Sequence, residues 1–361
     1  MGARGAMVAR KRRSEELDDE LGDEVAPRRG PVRALLLVLV GLLGLAMVAG
    51  LAVVGIWWFG FRQSASEECT VKTAAGSGTL ELPQAANAAT IAAVARSRGL
   101  PDRATAISLA TAMQESKLRN LAGGDRDSIG LFQQRPSMGW GTPEQIADPV
   151  YATNKFLDGL VKVPGYTRMP LTDAAQAVQK SGYPQAYAKH ETKATLLTSA
   201  LAGREPASFT CVVKDYAKPD PGDSPSPTAG ASASPAAQPD RSQVLSDRVR
   251  REFGRTVSAT AGYASTIKGA ENAVALTPDP AAAALTTSAD AGADAGANAE
   301  RASGWEVAHW AVAQAQQLGL ATVAYDGKIW RKTESEDGWQ SQTSGTSTKL
   351  VQVTVAPYGK G

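Results

Sequence analysis

The chain has 361 residues, 43% hydrophobic and only 6% aromatic, with 38 Lys and Arg against 36 Asp and Glu. That length exceeds one typical domain, so two folded units plus connectors are expected. A net charge of +2 with no basic stretch interleaved with aromatics excludes nucleic-acid binding as a partner class.

In chain order, residues 1–30 place Arg10-Lys11-Arg12-Arg13 before Glu15, Glu16, Asp18, Asp19 and Glu20. This polar, aperiodic block reads as a disordered cytoplasmic tail. From Ala34 to Phe61 no residue is charged. A bilayer-spanning helix needs about 20 apolar residues, so a transmembrane helix is expected over 32–61. Arg28, Arg29 and Arg33 precede the run, and Trp57, Trp58, Phe59 and Phe61 close it. The positive-inside rule then places the N-terminus in the cytoplasm and everything after the run outside. A cleavable signal peptide is the rival reading. The apolar run is long for one and a long segment precedes it, although Ser64-Ala65-Ser66 offers a cleavage site.

The chain has two cysteines, Cys69 and Cys211. Both fall on the expected outer side, where disulfides persist, and they bracket a stretch that reads as one domain, 69–213. A bridge tying its ends is the economical reading. The chain-entropy model assigns such a loop about 5 kcal/mol before strain.

Inside 69–213 the pattern is helical. Pro83 precedes a helix from Ala85 to Ser97, ended by Gly99-Leu100-Pro101. Asp102 is expected to cap a second, Ala104 to Ser116, and Asp148-Pro149 to start a third. Thr172 is expected to cap a fourth, and a fifth is expected from about Pro184 to Leu201. Between the second and third lies a long Gly-containing loop, Asn120 to Ala147. Loops of that length in compact domains are usually functional or disordered. Residues 214–240 turn to Pro, Ser and Ala and read as a linker. Ala281 to Ala299 repeats Ala, Asp and Gly and reads as a surface loop.

The final region, 241–361, predicts a small α+β domain. It has a polar helix from Gln243 to Phe253 and an amphipathic helix from Trp305 to Leu318, whose apolar stripe Gln314 interrupts. A hairpin is expected across Asp326-Gly327, followed by an alternating strand, Leu350 to Val355. The region faintly resembles the C-terminal domain of some bacterial cell-wall hydrolases but lacks their His-x-Asp-His pattern, so neither metal nor catalysis is inferred from it. Trp305, Trp310, Trp330 and Trp339 read as core residues, with a glycan-binding platform as the alternative. His190 and His309 have no Cys or Asp at ligand spacing, so no metal site and no cofactor are expected.

The chemistry concentrates in Gln114-Glu115-Ser116 and, beyond it, Ser128-Ile129-Gly130-Leu131-Phe132-Gln133-Gln134. Glu115 closes an apolar helix facing the long loop, and partial burial of a carboxyl favours its neutral form. Cleavage of a glycosidic bond needs such an acid to protonate the leaving oxygen. Ser128, Gln133 and Gln134 offer hydrogen bonds, and Trp140 offers a stacking face for a sugar ring.

At these residues the sequence resembles the lysozyme-like soluble lytic transglycosylases and goose-type lysozymes. Their hallmark is Glu-Ser at a helix end, then a Gly-Leu-Met-Gln-like segment. The resemblance spans about Pro83 to Ala202. It implies a mainly α, lysozyme-like domain with a sugar cleft, Glu115 as single catalytic acid and base, peptidoglycan as substrate, and Gln133 beside the scissile bond. The family's Tyr-Asn-Ala-Gly-like motif is missing from Gln176 to Tyr183, where Gln179 and Tyr183 are the candidate replacements. Asp125 and Asp127 are candidates for a second carboxylate that would activate water, with loop caps as the alternative. The expected protein is a membrane-anchored muralytic enzyme with peptidoglycan and cell-envelope proteins as partners. The alternative is a catalytically inactive peptidoglycan-binding scaffold.

Overall fold

The computed structural model describes residues 31–63, 66–217, 240–268, 270, 272–281 and 295–357. The tail expected over 1–30, most of the expected linker and residues 282–294 of the Ala/Asp/Gly patch lie outside these. The chain divides into two units, Met1–Ser64 and Ala65–Gly361.

In the first unit the apolar run forms α1 (Pro31–Gln63). Within it, Leu35–Trp57 is long and apolar enough to cross a membrane, and none of that span is buried. A core helix would hide such side chains against protein, whereas Leu37, Leu43 and Leu45 are all exposed.

The second unit opens with a hairpin, β1 (Cys69–Thr73) and β2 (Gly76–Leu80). Five longer helices follow, α2 (Leu82–Ser97), α3 (Asp102–Ser116), α4 (Pro149–Leu160), α5 (Leu171–Gln179) and α6 (Glu191–Leu201), with a one-turn helix at Pro143–Ile146 just before α4. The chain then returns as β3 (Phe209–Cys211), antiparallel to β1 in a sheet of order β2-β1-β3. The helical expectation for this region therefore omits a small sheet. Cys69 pairs with Cys211 in the β1–β3 register, and the two form a disulfide with Cα atoms 3.9 Å apart. The bridge closes the ends of the region, as the spacing of the two cysteines suggests.

Local chemistry explains most boundaries. Gln84 Oε1 accepts from the Glu81 amide at the head of α2, and Asp148 Oδ1 accepts from the Val150 amide at the head of α4. Two expected caps are corrected. Pro101, not Asp102, is the N-cap of α3, and Pro170, not Thr172, is that of α5. Proline pre-sets the backbone for helix entry, which frees Thr172 Oγ1 to donate to the Pro184 carbonyl. The expected fifth helix starts late, at Glu191, after a 3-10 turn at Ala188–His190.

The C-terminal region contributes α7 (Arg241–Phe253), β4 (Val257–Ala264), β5 (Asn272–Pro278), α8 (Ala295–Leu318), β6 (Leu320–Tyr325), β7 (Lys328–Arg331), β8 (Gln340–Ser341) and β9 (Val351–Val355). These strands form one antiparallel sheet of order β4-β5-β9-β6-β7-β8. The expected hairpin and closing strand are present. Helix α8 starts at Ala295, inside the patch expected to be loop.

The two folded regions share one continuous core. Helix α8 packs both on its own sheet and on α2, which accounts for its burial on nearly every side. Gln314, which breaks the apolar stripe, is fully buried and donates to the Ala86 carbonyl and Thr90 Oγ1 of α2. Beside it, buried Glu252 accepts from Thr90 Oγ1 and Trp310 Nε1. Trp330 Nε1 donates to the Cys211 carbonyl and Trp339 Nε1 to that of Phe209. Trp305, Trp310 and Trp330 are thus core and seam residues, at most 1% exposed.

Two more titratable groups of α8 lie in this seam. Burial pushes the Glu306 carboxyl up to about 7, opposed by Arg96, whose Nε is 3.4 Å away. Burial also pulls His309 down to about 4, and its Nδ1 lies 2.7 Å from the Ala200 carbonyl. That contact makes Nδ1 the protonated nitrogen of a neutral ring.

Candidate functional site

Glu115 occupies the last turn of α3, half-buried, and Ser116 beside it is buried. The helix ends through two successive non-glycine residues in the left-handed region, Lys117 at φ 56° and Leu118 at φ 60°. Such a conformation is costly unless its surroundings enforce it. Here α2 enforces it. Gln84 Nε2 donates to the Lys117 carbonyl at 2.9 Å, and buried Asn87 Nδ2 donates to the Leu118 carbonyl at 2.8 Å.

The second sequence segment folds back onto this helix end. Ile129 and Gln134 exchange backbone hydrogen bonds of 2.9 and 3.0 Å, pinching Gly130 to Gln133 into a tight loop. Gly130 adopts φ +78°, and a Cβ there would lie 2.6 Å from the Ile146 carbonyl oxygen, so only glycine fits. Leu131 and Phe132 are fully buried, with Phe132 stacked on Phe156 at 4.8 Å. Ser116 Oγ donates to the Leu131 carbonyl at 2.7 Å, across fifteen residues of sequence. The two segments that carry the resemblance are therefore physically joined.

The remaining sequence candidates divide. Gln133 is half-buried, with Nε2 donating to the Gly130 carbonyl and Oε1 accepting from Ser128 Oγ. Its amide is set by its own loop rather than by Glu115. A Cβ at Gly124 would fall 1.7 Å from Gln133 Oε1, so the neighbouring strand of loop leaves space for that amide. Gln134 is buried, and its Nε2 donates to the Ala152 carbonyl, making it a strut between the loop and α4. Gln179 Nε2 donates to the Phe132 carbonyl at 2.9 Å and ties the end of α5 to the same loop. Trp140 is partly buried against the core, and its carbonyl accepts from Tyr151 Oη. Tyr183 is 78% exposed.

The tyrosine that reaches Glu115 is Tyr187. Its Oη donates to Glu115 Oε1 at 2.7 Å from a fully buried ring. Burial, reinforced by the adjacent carboxyl, holds the phenol well above its ordinary range, so it remains a neutral donor. Three residues on, His190 Nε2 lies 3.2 Å from Gln114 Oε1, so one short turn docks on two consecutive residues of α3. Sequence reasoning missed Tyr187 because nothing local separates it from Tyr183. The available signal was its position, four residues later in the Pro-led run before α6.

Of the two aspartates, Asp127 is engaged with Arg135, whose Nε lies 2.6 Å from Oδ1, and accepts from the Ser137 amide. The Arg135 contact and then the Ser137 amide hold its carboxyl well below the usual range. It therefore structures the loop as a carboxylate paired with Arg135. Asp125 is exposed, and its carbonyl accepts from Ser128. Among the described residues there is no group of three or more His, Cys, Asp or Glu that could hold a metal.

A separate cleft of about 800 Å³ opens along the seam between the two regions, lined by Glu81, Asn87, Arg119, Asn120, Glu144 and Arg251 among others. Glu115 is not part of its lining.

Residues 241–350 match a family model described as VldE, C-terminal domain. The match covers less than half of the chain and includes none of Glu115, Gln133 or Tyr187. No curated protein matches the chain.

Proposed function

We propose that the chain is a membrane-anchored, extracytoplasmic muralytic enzyme, with a lysozyme-like helical domain that cleaves the β-1,4 glycosidic bond of peptidoglycan. The observation that carries this reading is the joining of the two motif segments. The Ser116–Leu131 bond sets the Gly130–Gln133 loop beside the helix end that presents Glu115, and Tyr187 fixes one carboxyl oxygen. Glu115 protonates the bridging oxygen through its other oxygen. The resulting carboxylate then takes a proton from the sugar 6-hydroxyl, giving an anhydro product, or from water, giving a reducing end. Gln133 lines the approach, and Tyr187 supplies the hydroxyl that the absent Tyr-Asn motif would otherwise provide. The α1 helix anchors the protein, with the basic residues before it on the cytoplasmic side.

The second reading is an idle wall-binding scaffold of the cell envelope. It is favoured by the absence of a Tyr-Asn pair over 176–183 and by the turning of Gln179 to the Phe132 carbonyl. Sedimentation with insoluble peptidoglycan together with a turbidity assay separates the two. Binding with clearing supports the enzyme, and binding without clearing supports the scaffold. Mass spectrometry of the products distinguishes anhydro from reducing ends, which differ by one water.

A further inference from the structure

The seam cleft has the chemistry of a binding site of its own. Two helix N-termini open into it, those of α2 and α4, headed by Glu81 and Asp148. Each carboxylate is held by an arginine from another element: Arg119 NH2 bonds Glu81, and Arg251 NH2 bonds Asp148. Both arginines make these contacts through a single terminal nitrogen. Among the described residues the other donors of each guanidinium fork have no hydrogen-bond partner and are open to an arriving carboxylate, and both side chains are about half exposed, 50% and 46%. Glu144 lies on the same lining and is held in its ionised form, its carboxyl lowered by its own backbone amide and by Thr142. Asn87 and Asn120 on the same lining donate their amide nitrogens to the Leu118 and Ala147 carbonyls and fix the cleft wall. The cleft therefore presents fixed positive and negative groups of both helical and C-terminal regions around a polar space of about 800 Å³.

The geometry points to this cleft as a subsite for a short peptide bearing both free carboxylates and an ammonium group. The carboxylates lie at Arg119 and Arg251, and the ammonium lies at Glu144. On the proposed muralytic reading, on which this inference rests, that peptide is a branch of the same polymer whose glycan meets Glu115. The connection is short. Arg119 is four residues beyond Glu115, a reach of about 14 Å at full extension. Asn87, on the cleft wall, also holds the Leu118 carbonyl that follows the Glu115 turn.

The test uses full-length protein in detergent and calorimetric titration with the tripeptide alanyl-glutamyl-lysine, which carries carboxylates and amines. An N-acetylated, amidated trialanine serves as the neutral control. Wild type and Glu115→Gln are expected to bind the charged tripeptide equally. Joint Arg119→Gln and Arg251→Gln substitution is expected to weaken it about tenfold or more, as loss of charge-assisted hydrogen bonds requires. The pairs removed are solvent-exposed, where ion pairs contribute little to stability, so the variant remains folded with a melting temperature close to wild type. Glu144→Gln is an independent variant, expected to weaken the charged tripeptide while leaving its carboxylate contacts. The inference is overturned if wild type does not bind the tripeptide, if the double variant binds it as wild type does, or if the neutral peptide binds equally. Failure of the catalytic reading appears elsewhere, as glycan cleavage by Glu115→Gln, and leaves the titration results unaffected.

Discussion

Glu306→Gln is expected to change the pH dependence of stability rather than stability at every pH. The Glu306 carboxyl titrates near 7 in the folded chain against 4.5 ordinarily. Between those values the folded protein holds a proton that the unfolded chain has lost, so stability falls as pH rises through the window. The full displacement corresponds to roughly 3 kcal/mol at 1.36 kcal/mol per unit, undiminished by solvent screening because the group is buried. His309 acts in the opposite sense. Its folded value near 4 lies below 6.5, so the unfolded chain takes up a proton first and stability falls as pH drops through that range. Over the overlap, about pH 4.5 to 6.5, the two slopes largely cancel in the wild type. Fully buried Glu252, also raised by burial, adds to the Glu306 direction. Urea unfolding from pH 4.5 to 7.5, followed by fluorescence of the buried tryptophans, measures this directly. The variant should match wild type near pH 4.5 and gain on it steadily up to about pH 7, since the Glu252 and His309 slopes are common to both proteins. Parallel profiles for the two proteins would refute the assignment.

Three further outcomes follow from the site. Gly124→Ala places a Cβ 1.7 Å from Gln133 Oε1 and should displace that amide. Turbidity clearing should drop about tenfold or more while the melting temperature changes little, since Gly124 is exposed and the cost falls on substrate positioning. Tyr187→Phe removes the donor to Glu115 and should cost about 1 kcal/mol of stability, read by thermal melting, with a larger fall in kcat than in KM. Joint Cys69→Ser and Cys211→Ser substitution releases a loop of 142 residues and should cost about 4–5 kcal/mol by the chain-entropy model, measured by denaturant unfolding.

Parts of this structure were legible in the sequence because their cause is local. The apolar run of α1 needs only its own length, and the Asp326-Gly327 turn and the alternation of Val351 to Val355 declare hairpin and strand directly. With two cysteines in the chain the pairing was also simple. The Glu115-Ser116 and Gly130-Gln133 segments were legible as a pair, but what joins them, one serine hydroxyl on a distant carbonyl, is tertiary. Strands β1 to β3 escaped because they are short and rich in Thr, Ser and Gly, and β3 finds its partner strand only across 142 residues of sequence. Gln314 looked like a flaw in an amphipathic helix. It is instead a seam residue, on a helix buried against a second region that periodicity within the segment cannot reveal. Tyr187 was passed over for Tyr183 for the same reason: which of two tyrosines turns inward is decided by the docking of a 3-10 turn on α3.

The central claim is that Glu115 is the proton donor to the glycosidic oxygen. The most direct measurement is muropeptide release from purified peptidoglycan by Glu115→Gln, alongside its melting temperature. Release should vanish while the melting temperature stays at the wild-type value, because the amide still accepts from Tyr187 but has no proton to give. Undiminished release by a folded Glu115→Gln protein would contradict the claim.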